Sequence, residues 1–436
     1  MNYMKKINYF MLGAFIFIAT FFLLSFSMDY ILELHDMINL KVSSVLDIVF
    51  STFMTIFFVY VILNLKEKKT IKNILLLGFL LRIIFIVFIF PYVENYYQGW
   101  DAKQFYGLSR DYFEGNQIFE LSIKRGTNNI SYIFLFFQRL FGFGFKNIEI
   151  FLSGITFLSI YFFFKVVNEE FNKKQQYFFL LFTLIEPMSI IFTSLYSKDP
   201  LALSSTVMHV SFVILYLKRD KLRYLFISLI FFSYFLFVRL WMIPILGLSL
   251  FLTLIFNRKI KRRYYFIIFP ALLGIIFVGM KIVGVTSISA INEIIVSLSS
   301  DWNRGGSTSG VELTGLKDFI IYFPYLWFTT IFRPLIMLGN PFILLTDLIN
   351  WIVFILFIKG IRNISKDKNK SFNYKALIKT VLIYIFIWGS VYSLVSPQNL
   401  GTGTRFKIQI WFLIIFIATL GFGRSKINDR EMKDIE

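Results

Sequence analysis

The chain has 436 residues, of which 57% are hydrophobic and 20% aromatic, and its mean hydropathy is +0.68. These values are too apolar for a soluble protein of this length and indicate an integral membrane protein. Because there is no cysteine, disulfides, thiolate nucleophiles, iron–sulfur clusters and cysteine-ligated zinc are excluded. With only His35 and His209 as imidazoles, we expect no histidine-based metal site and no cofactor.

The net charge of +19 reflects Lys and Arg residues that sit mainly in short loops between apolar runs. Three of these loops, 66–73, 257–263 and 360–380, are strongly basic and nearly free of acidic residues. Such loops stay on the cytoplasmic side of a membrane. A nucleic-acid binder would instead gather its basic residues on one face. We therefore expect the charge to set membrane orientation, with no nucleic-acid partner.

Apolar runs long enough to span a bilayer, which takes about 20 residues, recur along most of the chain. Lys5 and Lys6 precede the first run and place the N-terminus in the cytoplasm, and no small-residue cleavage site marks a removable signal. Alternating inner and outer loops predict an all-α polytopic protein with about twelve transmembrane helices, up to fourteen, and both termini inside. The predicted spans are 7–27, 45–65, 74–92, 147–166, 177–195, 201–217, 222–238, 240–257, 264–284, 343–359, 376–395 and 407–423.

Two apolar segments, 130–145 and 318–338, do not fit this alternation. The first is interrupted by an arginine and two glycines, and the second by two prolines and an arginine. Counting both as spans would turn the intervening helices upside down, with their basic loops outside. We therefore predict re-entrant or interfacial helices, which are tolerated where they line a cavity. The chain, 1–436, is expected to form one polytopic domain with large outer loops at 93–130 and 285–317.

The first candidate site lies in the earlier of these outer loops, where residues 99–106 read GWDAKQFY. Asp101 follows a Gly-Trp pair and precedes Tyr106 by five residues, which favours a helix start with a carboxylate near free backbone N–H groups. Two interpretations stay open. Asp101 is either a helix cap or a carboxylate at the mouth of a membrane cavity that acts as a base or orients a sugar hydroxyl. Arg110 follows on the same loop.

The second candidate site is the short outer turn at 196–200, which reads YSKDP. Pro200 at the first helical position, with Asp199 before it, predicts the start of a helix. Capping accounts for Asp199 but does not account for Lys198 at the same tight turn. A lysine at such a corner could hold a phosphate as a point charge.

Seven arginines fall outside, or at the outer interface, on the predicted topology, against the usual cytoplasmic preference of arginine. They are Arg110, Arg125, Arg139, Arg239, Arg304, Arg333 and Arg405. Arg239, Arg333 and Arg405 stand in apolar sequence, where a charge is expensive without a partner. These arginines either snorkel towards the interface or bind an anion, and the bidentate guanidinium suits a phosphate or pyrophosphate.

Two glycine-bearing segments complete the predicted outer face. Residues 303–310 (NRGGSTSG) form a polar loop that could close over a polar substrate. Residues 398–405 (QNLGTGTR) lead into the last span. The second segment lacks the GK[ST] ending and the preceding strand of a nucleotide-binding P-loop, so we do not expect it to bind ATP.

The pattern G-x-D-x(4)-Y in a large outer loop, formed here by Gly99, Asp101 and Tyr106, resembles two groups of bacterial surface-polysaccharide enzymes. One is the O-antigen and capsule repeat-unit polymerases, and the other is the GT-C glycosyltransferases that use polyprenyl-phosphate sugars. The KDP turn and the late G-T-x-x-R-x-K motif at 401–407 are similar to some members of both. The GT-C enzymes usually carry the acidic loop directly after the first span, whereas here it follows the third, which favours the polymerases.

The polymerase resemblance implies an oligosaccharide substrate on undecaprenyl pyrophosphate, at the outer face of the bacterial inner membrane, and a chain-length regulator as a further partner. Arginines would neutralise the pyrophosphate leaving group, and a carboxylate would help deprotonate the acceptor hydroxyl. The candidate catalytic residues are then Asp101 and Asp199. The candidate substrate-binding residues are Tyr106, Arg110, Lys198, Arg239, Arg304, Arg333 and Arg405.

Two alternatives remain at this point. The GT-C resemblance implies a monosaccharide donor on polyprenyl monophosphate, with Asp101 as the base. A flippase of lipid-linked sugars is the non-enzymatic alternative, but such transporters commonly show paired repeats with broken helices, which the sequence does not.

Overall fold

The structure is a computed structural model, and it describes residues 44–90, 104–105, 107–109, 126–141, 144–257, 270, 274, 289–290, 292–293, 295–297, 311, 313–333, 341–366, 371–396 and 400–422. Every regular element among these residues is helical and none is a strand, so the predicted all-α class is confirmed. The α-helices are numbered in chain order. They are α1 Ser44–Asn64, α2 Lys69–Ile84, α3 Gly126–Phe141, α4 Phe145–Val167, α5 Lys173–Leu184, α6 Pro187–Ser194, α7 Lys198–Arg219, α8 Leu222–Ser233, α9 Phe235–Val238, α10 Met242–Phe256, α11 Leu316–Phe332, α12 Pro341–Lys366, α13 Phe372–Tyr392 and α14 Leu400–Gly421.

Six helices of the described part are long and apolar enough to cross a membrane, by length and composition. They are Lys69–Ile89, Lys146–Glu170, Lys198–Arg219, Leu345–Lys366, Phe372–Tyr392 and Gly403–Gly421. Each overlaps a predicted span. Four shorter apolar helices are also present in the described part. Three of them lie in further predicted spans: Ile48–Asn64, Leu222–Val238 and Met242–Phe256. The fourth, Asn128–Phe137, lies in the first predicted re-entrant segment. The predicted span 7–27 lies outside the described residues, and 264–284 lies almost wholly outside them.

The predicted span 177–195 is broken rather than continuous. Helices α5 and α6 together are apolar enough to span, but they are bent by 53° at the break between them. Pro187 begins α6, and a proline lacks the N–H that would continue the preceding helix and disfavours helical backbone in the residue before it. The chain therefore turns at Ile185 and Glu186, and Glu186 is buried at this bend. This region counts as a seventh span if the bent pair is one span.

The chain divides into two compact units: Met1–Tyr161 with Ser189–Ser204, called unit 1, and Phe162–Met188 with Ser205–Glu436, called unit 2. Unit 1 is held by aromatic packing around a glycine. The Phe58 ring packs on Phe79, which packs on Phe157, with centroid distances of 5.5 and 5.8 Å. A Cβ at Gly154 would lie 2.1 Å from the Phe58 ring, so only glycine admits this ring. A buried hydrogen bond of 2.6 Å from Ser51 to Asn147 also joins α1 to α4.

Unit 2 is centred on α14, whose apolar segment is 94% buried. Helices α12 and α14 approach so closely that their backbones touch. A Cβ at Gly360 would lie 2.1 Å from the carbonyl oxygen of Ile417, and one at Gly421 would lie 2.0 Å from that of Leu356. Small residues allow such close helix contact inside a membrane protein. The two glycines therefore fix the position of α14 against α12.

Helix α11 covers part of the predicted re-entrant segment 318–338, but it ends at Phe332. Arg333 already has an extended backbone, with ψ of 155°. This is expected because the residue before a proline, here Pro334, disfavours the helical conformation. Pro324 lies inside the helix and is tolerated there. The backbone carbonyl of Arg333 is therefore left at a helix end, where a side-chain donor can bind it.

Candidate functional site

Five of the nine predicted site residues lie in the described part of the chain. Lys198 and Asp199 belong to unit 1, whereas Arg239, Arg333 and Arg405 belong to unit 2. The other four lie outside the described residues: Asp101, Tyr106, Arg110 and Arg304. The two units are therefore described in turn.

The turn at 196–200 in unit 1 differs slightly from its predicted form. Helix α7 begins at Lys198, two residues before the predicted first position, Pro200. The reason is Ser197, whose hydroxyl oxygen accepts the backbone N–H of Asp199 at 3.3 Å and so acts as the cap. The same hydroxyl donates to the Asp199 carboxylate at 3.4 Å. Asp199 is only 2% exposed, so its carboxylate is already engaged within the fold.

Described residues of the loop that is predicted to lie outside, within 104–105 and 107–109, contact this turn. Phe105, the neighbour of Tyr106 in the G-x-D-x(4)-Y pattern, presents its ring to the ammonium of Lys198 at 5.3 Å. The hydroxyls of Ser109 and Tyr196 are hydrogen-bonded at 3.1 Å. The Tyr196 ring in turn packs on Phe134 of α3, with centroids 3.9 Å apart. Two described residues of this loop, Phe105 and Ser109, therefore contact the turn at 196–200 in unit 1.

A buried ion pair in unit 1 was not predicted. Lys146 and Glu149, in the first turns of α4, are 2.9 Å apart and only 5% and 0% exposed. The second oxygen of Glu149 accepts the backbone N–H of Tyr196 at 3.4 Å. Glu149 thereby links the start of α4 to the KDP turn. The available signal was the pair of opposite charges at the edge of an apolar run, since charges in such positions are rarely incidental.

Arg239 in unit 2 is buried among aromatic side chains, at the corner between α9 and α10. It is 3% exposed, and its guanidinium carbon lies 5.1 Å from the centre of the Phe406 ring. It also interacts electrostatically with the side chain of Tyr392. A buried guanidinium over an aromatic face is stabilised by the cation–π interaction. Phe406 directly follows Arg405 in the late G-T-x-x-R-x-K motif, so this contact brings Arg239 to the start of α14.

A chain of hydrogen bonds runs through the same corner. The Trp241 indole, 48% exposed, donates to the Tyr392 hydroxyl at 3.0 Å. Tyr392 and Trp388 both donate to the side-chain oxygen of Gln409, each at 3.2 Å. Because an indole N–H can only donate, the orientation of the Gln409 amide is fixed. Its Nε2 is buried and has no hydrogen-bond partner among the residues that the structure describes.

Lys407 lies at the centre of a second polar group in unit 2. Its ammonium donates to the side chain of Asn350 at 2.9 Å and to the backbone carbonyl of Arg333 at 2.8 Å, and it lies 5.0 Å from the Trp411 ring centre. Two further carboxylates, Glu186 and Asp347, interact electrostatically with it. All of these acidic and basic side chains except Arg333 are at most 5% exposed. Lys407 thus closes the end of α11 and compensates buried negative charge.

The structure brings the three described arginines to one element, the N-terminal part of α14. The guanidinium of Arg239 reaches it through Phe406, Arg333 reaches it only through its backbone carbonyl, which Lys407 binds, and Arg405 is part of it. One guanidinium nitrogen of Arg333, Nη1, is buried without a hydrogen-bond partner among the described residues. The sequence missed Lys407 as a site residue, although it had been noted as the last residue of the motif. It also gave no signal for the amides of Asn350 and Gln409, which are unremarkable in isolation.

His209 is engaged in a structural network in unit 2. Its Nδ1 lies 2.7 Å from the Ser228 hydroxyl, and its Nε2 lies 2.8 Å from the Tyr384 hydroxyl. Both ring nitrogens therefore have partners. Across the described ranges, no three His, Asp or Glu side chains are grouped so as to hold a metal ion. Comparison with protein-family models, curated proteins and solved structures finds no match to this chain.

Proposed function

We propose that this chain polymerises oligosaccharide repeat units carried on undecaprenyl pyrophosphate into a surface polysaccharide, O antigen or capsule. The observation that supports the proposal is that Arg405 lies in the N-terminal part of α14 and that the Arg239 guanidinium packs 5.1 Å from the ring of the next residue, Phe406. Two arginines near one helix start, one of them only 3% exposed, suit a ligand with several negative charges. A pyrophosphate is such a ligand.

The topology that we propose has about twelve spans and the active face outside the inner membrane of a bacterium. On this topology, α13 runs outwards from the basic loop at 360–380, and α14 begins at the outer face. The corner at 239–241 and the KDP turn at 196–200 fall on the same side. The cations are therefore proposed to meet the lipid-linked substrate after it has been moved across the membrane.

The reaction proposed is the displacement of undecaprenyl pyrophosphate by a sugar hydroxyl. The acceptor oxygen forms a bond to the anomeric carbon of the growing chain, the bond from that carbon to the pyrophosphate breaks, and the hydroxyl proton passes to a carboxylate. Guanidinium groups stabilise the charge that develops on the leaving pyrophosphate, and they do so more strongly in a site that excludes water. Asp101 is the preferred base, because Asp199 is engaged with Ser197.

A GT-C type transferase is the second candidate, and one observation favours it. Among the described residues, Phe105, which stands within the outer-loop pattern, faces the ammonium of Lys198. One ammonium group suits the monophosphate of a polyprenyl-phosphate sugar better than it suits a pyrophosphate. In this version the reaction uses Asp101 and Lys198, and the arginines of unit 2 have another role.

The length ladder of surface polysaccharide in a strain that lacks the gene distinguishes the candidates. Loss of a polymerase leaves single repeat units on the carrier or the lipid core, whereas loss of a monosaccharide transferase leaves long chains that lack one sugar. Complementation with Arg239→Lys or Arg405→Lys should give short ladders, since lysine keeps the charge but loses the bidentate fork. Arg362→Lys, on the exposed inner end of α12, is the matched control.

Long chains of normal composition in the deletion strain would overturn all three candidates, because loss of a flippase would also stop long chains from reaching the surface. Wild-type ladders from both lysine variants would remove the pyrophosphate role of the arginines. Accumulation of lipid-linked repeat units on the cytoplasmic side would point directly to transport.

A further inference from the structure

A cavity of about 780 Å³ lies in unit 1 beside the loop that joins α1 to α2. Its wall is largely apolar and consists of Ile56, Val59, Tyr60, Leu63 and Leu65. The opposite end is polar and consists of Asn64, Lys66, Glu67, Lys68 and Lys72. The cavity therefore joins a long apolar wall, about two turns of α1, to a cluster of ammonium groups.

The charges at the polar end are not balanced internally. Glu67, its one acidic side chain, accepts a hydrogen bond from the Tyr161 hydroxyl at 2.9 Å. Lys72 donates to the Leu63 carbonyl at 2.6 Å and so closes the end of α1. Lys66 and Lys68 are exposed, and neither has a hydrogen bond or ion pair with another residue in the described part of the chain. Two ammonium groups therefore remain available to an anion.

The start of α2 adds a third observation. Lys68 is the N-cap residue, with an extended backbone (φ −62°, ψ 147°), and no side chain caps the helix. The first backbone N–H groups of α2 are thus available beside Lys66 and Lys68, where the helix dipole also favours negative charge. Helix α5, which begins with two lysines as well, differs because Asn172 and Gln175 cap it reciprocally.

We propose that this cavity binds one anionic glycerophospholipid. Its phosphate takes the ammonium groups of Lys66 and Lys68 and the free N–H groups of α2, while an acyl chain lies along Val59 and Tyr60. A small anion would leave the apolar wall unused, and a zwitterionic lipid would bring a second cation against the lysines. Basic pockets between helices on the cytoplasmic side suit such headgroups. On the proposed topology this end of α1 lies at the inner leaflet, and the site does not depend on the polymerase reaction.

Native mass spectrometry of the purified full-length chain in non-ionic detergent tests the proposal. Phosphatidylglycerol is added to the wild type, to Lys66→Gln/Lys68→Gln and to the control Lys173→Gln/Lys359→Gln, which removes the same charge from exposed lysines that do not line the cavity. The affinity of the first double variant should fall by roughly thirtyfold, because each basic residue near an anionic lipid contributes about a factor of five. The control should match the wild type.

Three further measurements test whether the cavity binds the whole anionic lipid or only its headgroup. Phosphatidylcholine should be retained much less than phosphatidylglycerol, and excess glycerol phosphate should not displace bound lipid. Tyr60→Ser, on the 65% exposed end of the apolar wall, should weaken phosphatidylglycerol binding while leaving the fold intact. Equal retention by the Lys66/Lys68 variant, or equal retention of the two lipids, would overturn the proposal. Displacement by glycerol phosphate would also overturn it, by showing an anion site without a lipid.

Discussion

Replacing Lys407 by methionine removes the one cation at the centre of the second polar group while keeping a side chain of similar length. The ammonium donates two hydrogen bonds, of 2.9 Å to Asn350 and 2.8 Å to the Arg333 carbonyl, and it faces Trp411 at 5.0 Å. In its absence, the buried carboxylates of Glu186 and Asp347 lose their compensating charge. The Lys407→Met variant should therefore lose much more stability than a variant that lacks one surface lysine.

The magnitude follows from these contacts. A hydrogen bond from a charged group contributes about 1.5–3 kcal/mol, and a cation–π contact about 0.5–2 kcal/mol. Apolar contacts of the methionine offset part of this loss. Removing one partner from a buried charged group typically destabilises by about 3–5 kcal/mol, which is the change that we expect. Lys359→Met, on the exposed face of α12, should change the free energy of unfolding by less than about 0.5 kcal/mol.

The assay is equilibrium unfolding of the purified protein in mixed micelles, titrated with a denaturing detergent. A double-mutant cycle with Asp347→Asn isolates the electrostatic part, because neutralising Asp347 removes one of the charges that Lys407 compensates. The two changes should be non-additive by about 1–3 kcal/mol, with the double variant more stable than the sum predicts. Strict additivity, or a Lys407→Met variant as stable as the control, would refute the assignment of Lys407 as the compensating cation.

Three other predictions concern the base, the packing and the topology. Asp101→Asn should abolish polysaccharide synthesis at unchanged protein level, since asparagine caps a helix as well as aspartate but cannot accept the proton; long chains from this variant would leave only the capping role. Gly360→Val should destabilise by at least about 1–3 kcal/mol, because its Cβ would lie 2.1 Å from the Ile417 carbonyl, and unchanged unfolding would contradict the close approach of α12 and α14. Single cysteines introduced into this cysteine-free chain at Asp101, Lys198, Arg304 and Arg405 should react in intact cells with a membrane-impermeant thiol reagent. If the cells have an outer membrane, it is permeabilised first. If two or more of these cysteines are protected in intact cells but react after lysis, the topology is overturned.

The sequence predicted the elements better than it predicted the contacts between them. Hydropathy located the apolar helices of the described part, because each is long and its composition is local information. The break at Pro187 was missed because the segments on both sides of Glu186 and Pro187 are apolar and together have the length of one span, whereas the proline removes a backbone N–H that a continuous helix needs. Of the arginines predicted from apolar sequence, Arg239 and Arg333 make contacts with residues near the start of α14, and Arg405 lies within it, but their binding role stays a prediction.

What the sequence could not predict was which side chains those cations would meet. Lys407 and Asn350 are 57 positions apart, and Gln409 and Trp388 are 21 apart, so their contacts depend on how the helices pack. An asparagine or glutamine in an apolar run carries no charge to attract notice. The roles of Asp101, Tyr106, Arg110 and Arg304 remain predictions, since these residues lie outside the described part of the chain.

The central position of α14 in unit 2 has a consequence for biogenesis. This helix packs against α5, α11, α12 and α13, yet it is synthesised after all of them. During translation those earlier helices must enter the membrane without the partner that they finally surround. Glu186 and Asp347 would meanwhile lack Lys407, so they must be protonated or hydrated until residues 400–421 arrive. A chain truncated before α14 is therefore expected to leave the buried carboxylates uncompensated and the facing sides of the earlier helices uncovered, so residues 400–421 complete the packing of unit 2.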